Sequence, residues 1–246
     1  SIDPRIVAAV PSMGGAGGLY LTHPHLTGNT RNQGSLKGDD LEMLKGTVDG
    51  YAYYKKMHAP VLAVSCSNDF NAPDWNFIES LKLARVDKRF SSAANLSHKT
   101  KPEVAMAGYQ WFETHLKKRR EYFPETAKSE IMLKQKDGIP VFRVKAPSSK
   151  LKIKRVEMYF SNDGDVKKRV WISVTPEEGE DGTWSIQTPV SDLGKPLFAF
   201  ANFIYEVEPI EVAVRQYNGK SEMCVTSEYA YVWPKELKAA EVKVGK

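Results

Sequence analysis

Near residue 124 the punctuation of this chain changes, and the stretches on either side cannot fold by the same rules. Before that point, short apolar runs alternate with helical patterns. Residues 6–10 (Ile-Val-Ala-Ala-Val) and 61–64 (Val-Leu-Ala-Val) are continuously apolar, as strands buried on both faces of a parallel sheet must be. Residues 89–93 read as a weaker third strand. Residues 73–84 predict a helix with Pro73 in its first turn, where a missing N–H costs nothing, and with Trp75, Ile78, Leu81 and Phe77 facing inward. The helix of residues 102–118 is the clearest in the chain. Thr100 and Glu103 have capping-box spacing, and Val104, Gly108, Trp111, Phe112, His115 and Leu116 fall on one stripe at helical period. This strand–helix order predicts parallel strands joined by right-handed crossovers.

After residue 124, tight-turn dipeptides take over: Asp137-Gly138, Asp163-Gly164, Asp181-Gly182 and Asn218-Gly219. Glycine there supplies the positive φ that such turns need. Strand-like runs lie between them, at residues 141–145, 155–160, 169–174, 184–188, 197–205, 211–217 and 225–232. About seven short strands in roughly 110 residues, with no helical stripe, suggest an immunoglobulin-like antiparallel β-sandwich. The expected organisation is therefore α/β plus all-β: a partial parallel sheet with helices over residues 1–124, then the sandwich over residues 125–246. The tail from Lys235 to Lys246 is expected to fray. Residues 13–50 form a third region. The glycines of residues 14–18 give a flexible exit from the first strand, residues 27–40 cross the edge of the sheet, and residues 40–56 return as a helix.

Bulk properties narrow the field without naming a function. A composition 41% hydrophobic and 26% charged supports a packed core. The net charge of +5 is dense only at Lys117-Lys118-Arg119-Arg120 and over residues 150–155, with no recognition motif beside it. Nucleic acid is thus not an expected partner. No apolar run is long enough to span a bilayer, and no signal peptide is visible. Cys66 and Cys224 are too far apart in sequence to suggest a disulfide scaffold. The chain enters an apolar run directly after Ser1-Ile2-Asp3-Pro4-Arg5, which suggests an excised fragment.

The residues with chemistry to offer are Asp69 and His98. Asp69 ends the run Pro60-Val61-Leu62-Ala63-Val64-Ser65-Cys66-Ser67-Asn68 at the carboxyl end of a buried strand, where open parallel sheets collect function. A carboxylate there can orient an imidazole and stabilise its cation. Asn68 and Asp74 compete for that position, and turn capping is the alternative use of Asp69. His98 follows Asn95-Leu96-Ser97 ahead of the last helix, where a near-neutral base can take and return a proton. The other histidines say less. His23 and His25, with Asp39 and Asp40 downstream, are too few for a confident metal set, so no metal is expected. His115 lies on a core-facing stripe, and His58 carries no signal. The glycines of residues 14–18 fit neither dinucleotide nor P-loop spacing, and no cofactor is expected. Trp171, Trp184 and Trp233 read as core rather than as sugar-stacking platforms.

With those residues in view, the first half resembles the carboxyl-terminal half of an α/β-hydrolase of the acetyl xylan esterase and dienelactone hydrolase type, and also proteins of the PhoPQ-activated pathogenicity-related kind. Asp3-Pro4-Arg5-Ile6-Val7-Ala8-Ala9-Val10-Pro11 is similar to the strand after the nucleophile helix. Residues 51–69, through Ala59-Pro60-Val61-Leu62, resemble the acid-bearing strand, and Asn95-Leu96-Ser97-His98 through Trp111-Phe112 the histidine loop and closing helix. In some relatives a β-sandwich follows, which Val170-Trp171 and residues 184–205 resemble. The resemblance implies Asp69 as triad acid and His98 as base of a serine-dependent ester hydrolase, with a small-molecule or carbohydrate ester as substrate and a secreted or periplasmic setting. In that family the order is serine, acid, histidine, with the serine in G-x-S-x-G. No such motif occurs here, and Ser12 and Ser65 lack the elbow context. The chain is therefore expected to be inactive alone, and to need either the other half of its hydrolase domain or self-association to cover an apolar sheet edge. The competing expectation is a non-catalytic carbohydrate- or protein-binding protein on a relict hydrolase scaffold.

Overall fold

The computed structural model describes residues 3–14, 23–29, 36–118, 123–211, 214 and 217–245. Its first part holds β1 (Val61–Cys66) and β2 (Lys88–Ala93), paired in parallel with Val61 opposite Lys88. Helix α2 (Asp74–Leu83) crosses between them, and α3 (Pro102–Leu116) follows β2. Every residue of β1 is buried, because alternate side chains serve different cores. Val61 and Ala63 pack with Phe77, Leu81 and Phe90 on the α2 side. Leu62, Val64 and Cys66 pack with Val104, Met106, Ala107 and Trp111 on the α3 side.

The extended residues 9–13 run alongside β1, with Ala9 opposite Val61 and Ser12 opposite Val64, both in parallel. Among the described residues they pair with β1 alone, residues 6–8 form no strand, and the expected burial of residues 6–10 on both faces fails as well. Ile6 and Val7 are 42% and 53% exposed. The expected single helix of residues 40–56 also breaks up. α1 (Gly38–Met43) runs into a wider turn at Leu44–Val48, and a tighter helix follows at Gly50–Lys56. The interruption is Asp49, whose extended backbone lets its carboxylate accept the Tyr51 amide at 2.8 Å. Residues 15–18 of the glycine cluster and residues 30–35 of the excursion lie outside the described residues.

Two antiparallel sheets make up the second part. The strands are β3 (Ser129–Met132), β4 (Val141–Lys145), β5 (Ile153–Ser161), β6 (Ile172–Val174), β7 (Glu177–Glu178), β8 (Thr183–Gln187), β9 (Leu197–Glu206), β10 (Glu222–Thr226) and β11 (Ala230–Val232). One sheet is ordered β10-β9-β5-β6, with β11 also on β9; the other is β3-β4-β8-β7. β9 is buried over almost its whole length, and glycines 138, 182 and 219 adopt φ of 77°, 73° and 71° at their turns. One apolar cluster runs from Leu62 and Trp111 through Phe142, Phe203 and Leu237, so it crosses residue 124. A polar seam joins the parts as well. The Ser91 hydroxyl donates to the Cys224 carbonyl at 2.8 Å, and the Ser92 amide to the Thr226 hydroxyl at 2.9 Å. Asn202 Nδ2 donates to the Ser92 carbonyl at 2.9 Å.

Several sequence expectations are corrected. The Thr100 side chain points to the Lys101 carbonyl, and Lys101 caps α3 with no side-chain bond. Phe112 and Leu116 face solvent, while Met106, Ala107 and Thr114 take the inward stripe with Trp111; the stripe is rotated because α3 meets β1 on one flank and β10 on the next. Phe77 is the fully buried anchor of α2, whereas Trp75 and Ile78 are half-buried. Gly164 has no positive φ; a Cβ there would meet the His25 carbonyl oxygen at 1.7 Å, so close approach is what requires glycine. The run 225–232 divides into β10 and β11. Residues 212–213 and 215–216 of the expected strand 211–217 lie outside the described residues, and those described there are not strand. The tail does not fray: Pro234–Ala239 forms α4, with Leu237 fully buried, Val242 nearly so, and Val244 bridging Val190. Trp171 is core, and Trp184 and Trp233 are half-buried against the apolar clusters.

Candidate active site

Two adjacent parallel strands end side by side, and each hands its chain to a loop at the carboxyl edge of the sheet. The loops stay zipped beyond the strands. The Ser67 amide donates to the Ala93 carbonyl and the Asn68 amide to the Leu96 carbonyl, both at 3.0 Å. The Asn95 amide donates to Ser67 Oγ at 2.9 Å. Asn95 and His98 both sit in the left-handed region, with φ of 59° and 50°. Asparagine and histidine are among the few residues that tolerate it; each placement still costs about 1–3 kcal/mol and is held by its surroundings.

The result is a short contact between Asp69 and His98, with His98 Nδ1 2.7 Å from Asp69 Oδ2. The two carboxylate oxygens have separate tasks. Oδ1 accepts the amides of Asn71 and Ala72 at 2.9 and 3.0 Å, which fixes the carboxylate plane, while Oδ2 is left for the imidazole. Asp69 is fully buried, whereas the His98 side chain is 59% exposed. No described residue hydrogen-bonds the outer nitrogen, Nε2. The tautomer with its proton on Nδ1 would donate to the carboxylate and leave the Nε2 lone pair free to accept a proton.

The competitors occupy other places. Asn68 Nδ2 donates to the Arg169 carbonyl. Asp74 opens α2, where its carboxylate takes the Trp75 amide at 2.8 Å, the Tyr229 hydroxyl at 2.9 Å and Arg169 Nη2 at 3.4 Å. Burial pushes the Asp74 carboxyl above its ordinary range, with Arg169 pulling the other way. Nothing in the sequence announced Arg169 or Asn95 as neighbours of the dyad: Arg169 lies 95 residues from its carboxylate partner, and long-range polar pairing leaves no periodic trace. Cys66 is the nearest thiol, its Sγ 4.0 Å from Asp69 Oδ2. Burial pushes that thiol up to about 11, so it stays neutral and is a poor nucleophile. Ser65 is wholly buried, and Ser12 lies exposed on the segment beside β1.

The remaining histidines go elsewhere. His23 stacks on Trp233 with ring centroids 3.7 Å apart. His115 packs edge-on against Trp111 in the core. Among the described residues no three His, Cys, Asp or Glu gather into a possible metal site, and no helix is long and apolar enough to cross a membrane. Comparison of the chain with protein families, with characterised proteins and with solved structures gives no match.

Proposed function

We propose that this chain supplies the acid and base of a serine-dependent carboxylic ester hydrolase, with Asp69 orienting His98. The observation that carries this is the 2.7 Å contact between His98 Nδ1 and a buried carboxylate whose other oxygen is held by two amides. A histidine that merely meets solvent has no need of a buried carboxylate or a left-handed backbone. In the proposed reaction Nε2 takes the proton of a serine hydroxyl as that oxygen attacks the ester carbonyl, then returns it to the departing alkoxide. Water repeats the cycle on the acyl-serine.

The fold supports this reading as a partial α/β-hydrolase sheet followed by an immunoglobulin-like sandwich. Its parallel strands, helices on both faces, and acid and histidine at consecutive carboxyl ends suit that architecture. The serine and its oxyanion donors would come from outside these residues, either from further hydrolase sequence or from a second chain. The edge of residues 9–13 away from β1, which pairs with no described residue, would receive the neighbouring strand. Acetylated or otherwise esterified carbohydrate is the substrate class suggested by the family resemblance.

The purified 246-residue chain is expected to hydrolyse an aryl acetate no faster than buffer. The product of the whole coding region is expected to turn it over. Turnover by the chain alone, lost in His98→Ala, would instead place the nucleophile among these residues and overturn the split-site reading.

A further inference from the structure

The segment Arg169 to Trp171, far from Asp69 and His98 in sequence, bonds to both loops that carry them. Asn95, three residues before His98, makes a two-point contact with Trp171. Its Nδ2 donates to the Trp171 carbonyl and its Oδ1 accepts the Trp171 amide, each at 2.8 Å. On the acid side, Arg169 Nη2 donates to the Ser67 carbonyl at 2.6 Å, and Asn68 Nδ2 donates to the Arg169 carbonyl. The same guanidinium meets Asp74, just after the acid loop, at 3.4 Å. Residues before and after the acid, and the residue that starts the histidine loop, thus share one anchor.

That anchor is buried and packed on aromatic rings. Arg169 and Trp171 point inward and are buried, while Val170 between them is 66% exposed. The guanidinium lies 4.7 Å from the Trp171 ring centroid and 5.5 Å from that of Phe198, so aromatic faces hold it as well as hydrogen bonds. Trp171 in turn packs edge-on against Phe200 with centroids 4.7 Å apart. Phe198 and Phe200 belong to β9, the central strand of the larger antiparallel sheet.

We propose that Arg169 and Asn95 are positioning residues, and that the antiparallel part of the chain sets the Asp69–His98 distance by clamping both loops. The proposal rests on the reading of that pair as a catalytic dyad. Catalytic constellations need their groups held to within about 0.5 Å, and a misplacement of about 1 Å costs on the order of 100-fold in rate. Two loops leaving parallel strands share no covalent tie at their tips. A third element hydrogen-bonded to both adds a noncovalent tie to the direct bonds that zip them. It also gives the second part of the chain a role in the chemistry without touching substrate.

The imidazole tautomer, read from 15N shifts of His98 in the 246-residue chain at neutral pH, tests this. A free neutral imidazole favours Nε2–H, and contact with Asp69 selects Nδ1–H. The unmodified chain should show Nδ1–H. Asn95→Ala, which removes both bonds to Trp171 and leaves Asp69 and His98 in place, should move most of the population to Nε2–H. Asn95→Asp suits the left-handed backbone and keeps the acceptor for the Trp171 amide, but it sets a carboxylate oxygen against the Trp171 carbonyl in place of the Nδ2 donor, so it too should lose Nδ1–H population. Arg169→Met combined with Asp74→Leu removes the bond to Ser67 without stranding a buried charge, and should act like Asn95→Ala. Ser129→Ala deletes a single contact to the Glu228 carbonyl elsewhere and should leave the tautomer unchanged. Full Nδ1–H in the unmodified chain, in Asn95→Ala and in the Arg169–Asp74 pair would overturn the clamp alone. Its absence from the unmodified chain would overturn the dyad and the clamp together.

Discussion

In the proposed esterase, Asp69→Asn should lower kcat by about 10⁴-fold while leaving KM and the fold nearly unchanged. The two tasks of the carboxylate separate cleanly here. Oδ1 accepts the Asn71 and Ala72 amides, and the asparagine carbonyl can keep both, so the turn survives. The other side-chain atom then becomes an NH2 facing His98 Nδ1 across the present 2.7 Å contact. Two donors cannot share that contact, so Nδ1 must become the acceptor and Nε2 must carry the proton. The outward nitrogen is then the wrong partner for a serine hydroxyl. Asp69→Ala would also strand two amides, each worth about 1–3 kcal/mol if buried without a partner, and so would mix stability with catalysis. Steady-state kinetics on an aryl acetate, beside urea unfolding of both variants, separates the effects. A loss below tenfold in Asp69→Asn would mean that the carboxylate does not set the tautomer.

Arg169→Met should cost about 3–5 kcal/mol of stability, as expected when one partner of a buried pair is removed. Asp74 is 2% exposed and the Arg169 side chain 5%. Without the guanidinium the carboxylate keeps only the Tyr229 hydroxyl and the Trp75 amide. The deficit should depend on pH, with a definite sign. Burial already raises the Asp74 carboxyl against the pull of Arg169, and removing Arg169 raises it further. A carboxyl raised in the folded state favours folding when protonated, and that contribution is lost as pH rises through the folded value. The deficit of Arg169→Met should therefore be full near neutrality and shrink in mild acid. Adding Asp74→Leu should recover much of the loss at neutral pH, because apolar replacement of a buried pair is often neutral or stabilising. Urea midpoints at two pH values measure all three effects. A deficit that grows in acid would contradict the assignment.

The sequence revealed those features that repeat with a period or end on a breaker. β1 was readable because an unbroken apolar run leaves little alternative, and β4 because alternation and turn glycines frame it. The meeting of Asp69 and His98 is legible as two residues after consecutive strand ends, since parallel pairing brings such ends together. What lay hidden depended on single long-range contacts. Half of α4 is charged, and two buried side chains, Leu237 and Val242, hold the tail. β3 and β7 are short strands defined by the partners they pair with. The outward turn of Phe112 and Leu116 reflects where β10 packs against α3, which no window of residues 102–118 contains. The clamp is the extreme case, because Asn95, Arg169 and Trp171 are individually unremarkable and meet across more than seventy residues, with |i−j| of 76 between Asn95 and Trp171.

Fluorophosphonate labelling of the protein made from the complete coding region, followed by mapping of the modified residue, tests the Asp69–His98 pairing with a serine. Such a probe reacts with a serine whose proton is taken by an adjacent base. One labelled serine is expected, in a G-x-S-x-G turn outside these 246 residues, with labelling abolished by His98→Ala. No labelled serine, or labelling that persists in His98→Ala, would contradict the proposal that Asp69 and His98 form the acid–base pair of a serine hydrolase.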